Sequence, residues 1–214
     1  MSVLHDLRAD AARYVYYDDP AARPTLPRAA RALAAHQGLQ AIALYRFARL
    51  LRQARPRSAP LRLLVLLGRL LYPLLSRVND MANGIWISPD AEIGPGLFIA
   101  HYGGVVIGPA TIGANCNIGN SVTIGQGGRG ERAGRPVIGD RVVIAVGARV
   151  FGRITVAEDA MIGANSVVTR DVDARAVMSG VPARQISSHG SFDYLRYPGM
   201  EHDGARLASI ARGG

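Results

Sequence analysis

Two spacings of apolar residues divide the chain near residue 80. Before that point apolar side chains recur at intervals of three and four, the spacing of one face of an α-helix. These residues are Leu39, Ile42, Leu44, Phe47, Leu50, Leu51, Leu63, Leu66, Leu67, Leu70 and Leu71. The pattern predicts a short helix over 3–17, a connector over 20–27, and two longer helices separated by Pro56 and Pro60. Residues 1–80 are therefore predicted to form an α-helical region.

Beyond residue 80 the period of the apolar residues changes to six. The aliphatic positions are Ile87, Ile93 and Ile99, then Val106, Ile112, Ile118 and Ile124, then Ile138, Ile144, Val150, Val156, Ile162 and Val168. A small or medium residue follows four positions later, as at Ala91, Cys116, Val122, Ala148, Ala160 and Ser166. Six residues make one short strand and a corner, and three such faces make a triangular coil. The pattern predicts a left-handed parallel β-helix over 81–187, with both sets of side chains pointing inward.

The six-residue period is interrupted at two places and then decays. A one-residue slip follows His101, and residues 126–136 form an insertion rich in glycine and arginine. An insertion in a rigid coil is expected to be extruded as a loop, where functional residues are often found. The repeat decays after Val168, and residues 180–184 are predicted to close the prism. The tail, residues 188–214, is expected to be mobile or partly ordered.

Positive charge is concentrated in the helical region. All 25 Lys-or-Arg positions are arginine, and 13 of them lie in the first 78 residues beside four acids, which accounts for the formal net charge of +9. Such a segment can bind nucleic acid or an anionic membrane surface, but no nucleic-acid-binding motif accompanies it. We therefore expect no nucleic-acid partner. Two alternatives remain for the arginine-rich helices: peripheral contact with the inner face of the cytoplasmic membrane, or burial of their leucines between subunits.

The remaining compositional signals concern location and metals. The first ten residues lack a signal-peptide pattern, and the apolar run 61–75 is short for a bilayer span and contains arginine. These features predict a cytoplasmic protein. The single cysteine, Cys116, excludes an internal disulfide and a zinc site built on several thiolates. No second histidine or carboxylate pair falls at ligand spacing from His101, so no metal is expected.

One of the five histidines lies inside the repeats. His101 stands directly before the one-residue slip. Imidazole titrates close to neutral pH, so it can take a proton from an alcohol under physiological conditions. The alternative is a histidine that packs on a coil face without a chemical role. We predict that His101 is a general base.

The two regions together resemble the serine acetyltransferases. In the helical region the resemblance lies in Asp-Leu-Arg-Ala at 6–9, Asp-Pro-Ala-Ala-Arg at 19–23, Gly-Leu-Gln-Ala at 38–41 and Tyr-Arg at 45–46. In the repeats it lies in Gly-Leu-Phe-Ile-Ala-His at 96–101, the insertion, and Gly-Val-Pro-Ala-Arg at 180–184. The resemblance covers 3–187 and implies an acetyl-CoA-dependent O-acetyltransferase. It also implies a homotrimer with active sites between adjacent β-helices, and trimers that can pair.

The resemblance implies a role for several residues. His101 matches the histidine that deprotonates the acceptor hydroxyl, which then attacks the thioester of acetyl-CoA directly. Ala145, Gly147 and Ala164 match positions that hold the pantetheine arm through backbone groups, and Arg184 matches a basic residue near the phosphates of CoA. A purely structural role at a repeat corner or cap is the alternative for these four.

This sequence departs from the family's pattern on the acceptor side. Trp86 stands where an aspartate pairs with the catalytic histidine, Ala100 where a second aspartate contributes to serine binding, and Arg135 where the loop carries histidine. Of the acceptor-pocket acids, Asp19 is kept. An ammonium group buried without carboxylate partners is costly, so these changes argue against free serine. Trp86 offers a flat face for a sugar ring, although packing at the junction of helices and prism is its alternative.

The sequence therefore predicts transfer of acetyl from acetyl-CoA to an acceptor hydroxyl. The acceptor predicted first is a sugar in polysaccharide biosynthesis, as in serine acetyltransferase-like enzymes that act on surface polysaccharides. L-Serine is the second, favoured by Asp19, with Arg135 available for its carboxylate. A catalytically weak β-helix scaffold is a third alternative, supported by the loss of the paired aspartate. Direct transfer leaves Cys116 without a nucleophilic role.

Overall fold

The computed structural model describes residues 2–212, and its first part is helical. α1 spans Val3–Asp18, α2 Leu26–Ala35, α3 Gln37–Gln53 and α4 Ala59–Asn83. The break before α4 contains Pro56, as predicted, whereas Pro60 lies in the first turn of α4. The break between α2 and α3 falls at His36, whose backbone is extended. No proline or glycine marks that break, so the helical spacing alone does not predict it.

The second part is a prism with three strand-lined faces. One face contains β1 (Ile85–Ile87), β4 (Val105–Ile107), β7 (Thr123–Gly125), β10 (Arg149–Phe151) and β13 (Val167–Val168). The next contains β2 (Glu92–Ile93), β5 (Thr111–Ile112), β8 (Val137–Ile138) and β11 (Thr155–Val156). The third contains β3 (Phe98–Ile99), β6 (Asn117–Ile118), β9 (Val143–Ile144), β12 (Met161–Ile162), β14 (Val177–Gly180) and an antiparallel β15 (Ala183–Ser187). Except for β12 with β14, the parallel pairs join strands three apart in sequence, which confirms the predicted β-helix, with five coils in the described residues.

The inward positions agree with the six-residue period except in one strand. The predicted small residues are all fully buried, and so are the aliphatic residues of the third run. Val106, however, is 39% exposed, and its neighbours Val105 and Ile107 point inward instead. The register explains this difference, because Ile107 pairs with Ile87 of one coil and Ile124 of the next.

The corner between β3 and β4 is enlarged. Equivalent inward residues are six positions apart in the second coil, Ile118 to Ile124, but eight apart in the first, Ile99 to Ile107. The following corner is one residue shorter than usual, so the sequence shows a net slip of one. Two additional residues therefore project from the prism at the corner that contains His101.

Side chains from the helices cover the start of the first coil, whose strands are the end members of their sheets. Arg46 of α3 donates hydrogen bonds to the carbonyl oxygens of Ile93 and Gly94 at 2.7 and 2.6 Å. Asp10 of α1 forms an ion pair with Arg46 at 2.8 Å and accepts a hydrogen bond from the N–H of Leu97 at 2.9 Å. The helical region thus supplies partners to backbone groups that no earlier coil pairs within the described residues.

The tail also packs against the prism. Leu195 is buried against Val143 on the third face, and Arg13 of α1 donates a hydrogen bond to the carbonyl oxygen of Arg196 at 3.2 Å. A last helix, α5, spans Gly204–Ala211. The apolar residues of the tail are too few to show a period, so the sequence does not predict this packing. Gly213 and Gly214 lie outside the described residues.

α4 is longer than the apolar run that predicts it. The helix has 25 residues and a mean hydropathy of 1.4 over an 18-residue window, of which none is buried. By length and composition it is the one helix of residues 2–212 that is able to cross a membrane. It ends at Asn83, three residues beyond the predicted boundary, with Gly84 in the left-handed conformation at a φ of 60°.

We expect Arg46→Met to destabilise the protein by about 3–5 kcal/mol, because it leaves the buried carboxylate of Asp10 without its ionic partner. The matched control is Arg52→Met in the same helix. Arg52 pairs with Asp90 at 2.7 Å, but both side chains are more than half exposed, so its loss should cost at most about 1 kcal/mol. Urea unfolding of both variants measures the difference, and equal losses would contradict the assigned role of Arg46.

Candidate active site

His101 lies in the enlarged corner and is exposed to solvent. Its backbone is left-handed, with a φ of 62°, a conformation shared by six other non-glycine residues between strands of the prism, such as Asn115 and Ser121. The chain continues through Gly103, whose φ is 91° and whose N–H donates a hydrogen bond to the carbonyl oxygen of Asn83 at 3.0 Å. The end of α4 therefore supports the turn two residues beyond His101.

The helices also fix the strand that precedes His101. The hydroxyl of Tyr14 donates a hydrogen bond to the carbonyl oxygen of Ile99 and accepts one from its N–H, both at 3.0 Å. Gly38 of α3 lies so close that an added Cβ would stand 2.4 Å from the same carbonyl oxygen and 2.4 Å from the hydroxyl of Tyr14. The backbone is thus held two residues before His101 as well as two residues after it.

A hollow of about 320 Å³ opens beside His101. Its other walls include Tyr17, His36, Phe98 and Ala100. His36 and Asp18 form a pair, with 2.8 Å between Nε2 and Oδ1. The hollow therefore combines aromatic surface with an imidazole that a carboxylate already holds. The sequence assigns no role to Asp18 or His36, because 18 positions separate them and neither belongs to a motif.

A second hollow of about 520 Å³ is lined by Asp18 and Asp19 and by His36, which also lines the hollow of His101. Asp19 follows the end of α1, and its carboxylate accepts a hydrogen bond from the N–H of Ala21 at 3.0 Å. Arg28 and Arg31 also line this hollow. Two adjacent carboxylates thus lie one side chain away from the hollow of His101. A cationic group can bind these carboxylates only in competition with Arg28 and Arg31, which line the same hollow.

Trp86 occupies the middle of β1 and is 38% exposed on the outer surface. Its register partner is Val106, the residue whose inward orientation the sequence wrongly predicts. The histidine–carboxylate pairs within residues 2–212 are those of His5 and His36, so His101 has no carboxylate partner in this chain. No carboxylate of residues 2–212 therefore takes the place of the aspartate that the resemblance implies at position 86.

Arg135 lies at the end of the extruded loop and is exposed. The loop is closed at its base by backbone hydrogen bonds between Gly127 and Gly134 at 3.1 and 3.0 Å. It leaves the prism between β7 and β8, which is a different edge from the β3–β4 corner of His101. Within one chain the structure does not bring Arg135 to the hollow of His101.

The residues predicted to contact CoA share an edge with His101. Ala145 and Gly147 lie at the corner between β9 and β10, and Ala164 lies between β12 and β13, on the edge that begins with the β3–β4 corner. Successive corners on this edge are joined by backbone hydrogen bonds: Ser121 N–H to Gly103 O at 2.9 Å, Gly147 N–H to Asn120 O at 3.0 Å, and Asn165 N–H to Val146 O at 2.8 Å. Coils follow one another at about 4.8 Å, so the edge forms an extended track below His101.

Arg184 lies beyond the last corner of that edge. It is an exposed residue of β15 and pairs with Ser179 of β14. Nearby, the N–H of Gly180 donates a hydrogen bond to the hydroxyl of Ser166 at 3.1 Å, which attaches this hairpin to the preceding coil. Arg184 is thus a cation at the end of the track opposite to His101.

Cys116 is not a candidate nucleophile. Its side chain is fully buried inside the second coil, and burial raises the pKa of the thiol to about 12. A thiolate is therefore not formed at neutral pH. Among residues 2–212 no group of three His, Cys, Asp or Glu side chains is placed to hold a metal ion.

Sequence relatives of the chain are serine acetyltransferases, whereas no protein-family model matches it. The chain is 38% identical over 197 residues to the enzyme of Synechococcus elongatus, which covers 91% of this chain and 74% of the relative. It is 36% identical over 200 residues to the enzyme of Staphylococcus xylosus, and the match covers 88% of this chain and 83% of the relative.

Solved structures of serine acetyltransferases are similar as well. The enzyme of Brucella abortus in complex with coenzyme A matches with a TM-score of 0.67 and 31% identity, covering 87% of this chain and 68% of that chain. The enzyme of Neisseria gonorrhoeae in complex with serine matches with a TM-score of 0.65 and 30% identity, covering 86% and 69%.

These similarities confirm the predicted class, an acetyl-CoA-dependent O-acetyltransferase, and leave the scaffold alternative without support. They contradict the sugar acceptor, because these relatives and structures are all serine acetyltransferases. The prediction gave too much weight to Ala100, since Asp18 and His36 add a second carboxylate and an imidazole next to Asp19. The predicted stacking of Trp86 on a sugar ring therefore has no remaining support. The chain belongs to the serine acetyltransferase family.

Proposed function

We propose that the protein transfers the acetyl group of acetyl-CoA to the hydroxyl group of L-serine, which yields O-acetyl-L-serine and CoA. The observation that carries the proposal is the exposed His101 in a hollow whose wall, His36, also borders the two carboxylates Asp18 and Asp19. Serine needs such a pairing, because its hydroxyl must reach a base while its ammonium group finds negative charge. Membership of the family supports the same acceptor.

The proposed chemistry is a direct transfer with His101 as general base. The imidazole takes the proton of the serine hydroxyl as the oxygen attacks the carbonyl carbon of the thioester. The tetrahedral intermediate then collapses, the C–S bond breaks, and the imidazolium returns the proton to the departing sulfur. Along the same edge, the backbone at Ala145, Gly147 and Ala164 would hold the pantetheine arm, and Arg184 would face the phosphates.

Serine recognition is proposed to use two subunits. Asp18 and Asp19 would receive the ammonium group, and Arg135 would receive the carboxylate. Since Arg135 lies on a different edge from His101 in one chain, it would come from the loop of a neighbouring copy. A homotrimer, in which each prism meets two others, would form three such composite sites. We place this enzyme in the cytoplasm, where its donor acetyl-CoA is available.

The function is tested by release of the CoA thiol from acetyl-CoA in the presence of L-serine, D-serine or L-threonine. We expect L-serine to be used with a kcat/KM of at least about 10⁴ M⁻¹s⁻¹, the range of cognate substrates, and to exceed the other two. Mass spectrometry should detect O-acetylserine. Thiol release with L-serine no faster than hydrolysis of acetyl-CoA alone would refute the acceptor.

His101→Ala is expected to lower kcat by roughly 10²–10⁴-fold, which is the usual contribution of a general base. CoA binding, measured by calorimetry, should remain nearly unchanged, because the proposed CoA contacts lie on later coils. His189→Ala is the matched control, since His189 is an exposed histidine of the tail and should leave kcat unaltered. A His101→Ala enzyme that keeps most of its activity would remove this residue from the mechanism.

Asp19→Asn is expected to raise the KM for L-serine by roughly 10- to 100-fold, the value of a lost hydrogen bond to a charged group. The KM for acetyl-CoA should not change. Asp173→Asn provides the control, because Asp173 is exposed at a corner outside both hollows. If Asp19→Asn leaves the serine KM at its wild-type value, this carboxylate does not bind the ammonium group.

A mixing experiment tests the composite site. His101→Ala and Arg135→Gln are each expected to be nearly inactive when prepared alone. Co-refolding equal amounts should restore activity at about a quarter of the subunit contacts, where an intact His101 meets an intact Arg135 from another chain. No recovery, although mixed oligomers are verified by differently tagged chains, would show that both residues must belong to one subunit.

A further inference from the structure

α4 presents a long apolar face that no other element covers within residues 2–212. Its leucines are between 49 and 69% exposed at Leu63, Leu67, Leu70, Leu71 and Leu74. Monomeric soluble proteins rarely leave contiguous apolar patches larger than a few hundred Å² in contact with water. These five side chains, here called the leucine face, therefore require a binding partner outside this chain.

The helix is attached to the rest of the protein by a narrow seam. The half-buried residues of α4 are Val65, Gly68, Tyr72, Ser76, Asn79 and Asp80, most of them spaced by three or four. A Cβ at Gly68 would stand 2.8 Å from the side chain of Leu51, so α4 approaches α3 closely at this point. Because the seam occupies one side of the helix, the leucine face points away from α3.

The charged residues of the segment that contains the leucine face are almost all positive. Residues 54–83 contain five arginines and a single acid, Asp80. Arg55, Arg57, Arg62 and Arg77 are exposed. The first two precede α4, and Arg62 lies in its first turn. Long arginine side chains beside an apolar helix face can keep their charge at a membrane surface while the apolar side chains enter the lipid.

We propose that the leucine face of α4 binds the surface of an anionic lipid bilayer, with the helix lying along the membrane. The apolar side chains would enter the boundary between headgroups and acyl chains, and the arginines would contact lipid phosphates. This inference is independent of the acceptor, because none of its residues belongs to the proposed active site.

Charge favours lipid over a second copy of the chain as the occupant. The first 78 residues carry the whole formal charge of +9, so two leucine faces in contact would bring two strongly positive regions together. Like-charge juxtaposition opposes such an interface, whereas an anionic bilayer supplies the opposite charge. The complementary partner is therefore the membrane.

Hydrogen bonds along the seam favour a helix that lies on the membrane over one that crosses it. Arg69 donates a hydrogen bond to the carbonyl oxygen of Leu51 at 2.9 Å, and Asn79 donates one to that of Ile85 at 2.8 Å. These bonds attach the middle and the end of α4 to α3 and β1. Crossing a bilayer would require breaking them and burying Arg69 in hydrocarbon, which is costly.

The test is co-flotation of the full chain with vesicles. Vesicles of phosphatidylcholine mixed with phosphatidylglycerol should carry the protein to the top of a density gradient at low salt. Vesicles of phosphatidylcholine alone should carry much less. High salt should weaken the binding without abolishing it, because the electrostatic part is screened and the apolar part remains.

Variants separate the leucine face from general attraction of a basic protein. Leu67→Gln with Leu71→Gln should lower the partition coefficient on the order of a hundredfold, about tenfold for each leucine that leaves the lipid. Leu207→Gln is the matched control, since Leu207 on α5 is 46% exposed, and it should bind as the wild type. Arg57→Gln with Arg62→Gln should weaken binding to anionic vesicles roughly fivefold per arginine. Arg170→Gln, an exposed arginine of the prism, should change it little.

Three results would overturn the proposal. The first is no flotation with anionic vesicles at low salt, and the second is equal flotation of the wild type and the double leucine variant. The third is a smaller oligomer for the double leucine variant in analytical ultracentrifugation without lipid, which would show that another copy covers the face. Thermal unfolding of each variant verifies that its fold is retained.

Discussion

The structure depends on how the open backbone edge of the first coil is satisfied. A parallel β-helix pairs each coil with its neighbours, so its first coil exposes N–H and C=O groups that elsewhere form the ladder. Here α1 and α3 cover that edge with fixed side chains, chiefly Arg46 and Asp10, which pair with each other as well as with the backbone. The helical region is therefore part of the prism's hydrogen bonding and not an appended domain.

The same cover determines the geometry of the candidate active site. Tyr14 satisfies both backbone groups of Ile99, and Gly38 leaves room for this contact, so the enlarged corner starts from a fixed point. His101 then projects from a left-handed turn that the end of α4 supports. A change in the helices would thus alter the geometry of the turn that holds His101, even when the substituted residue lies outside the hollow beside it.

The six-residue period was sufficient to predict the β-helix, its inward residues and the extruded loop, because each of these follows from local sequence. The inward orientation of Val105 and Ile107 was not predictable, since two changes in corner length nearly cancel in the sequence. His101 could be found from its place before the slip. Tyr14 and the Asp18–His36 pair could not, because their partners are 85 and 18 residues distant. The prediction of a sugar acceptor was wrong because it rested on the acid lost at Ala100, whereas Asp18 adds a second carboxylate beside Asp19.

Because Cys116 is buried, the reactivity of its thiol, the only one in the sequence, reports local opening of the β-helix. It lies inside the second coil and donates a hydrogen bond to the carbonyl oxygen of Gly139 at 3.2 Å. A thiol-reactive reagent can modify it only when neighbouring coils separate, so the rate of modification under native conditions reports how often they do. Ligands that bind the closed prism along its edge would slow that rate in proportion to their occupancy. The separation of neighbouring coils is thus measurable in the unaltered protein, without an introduced label.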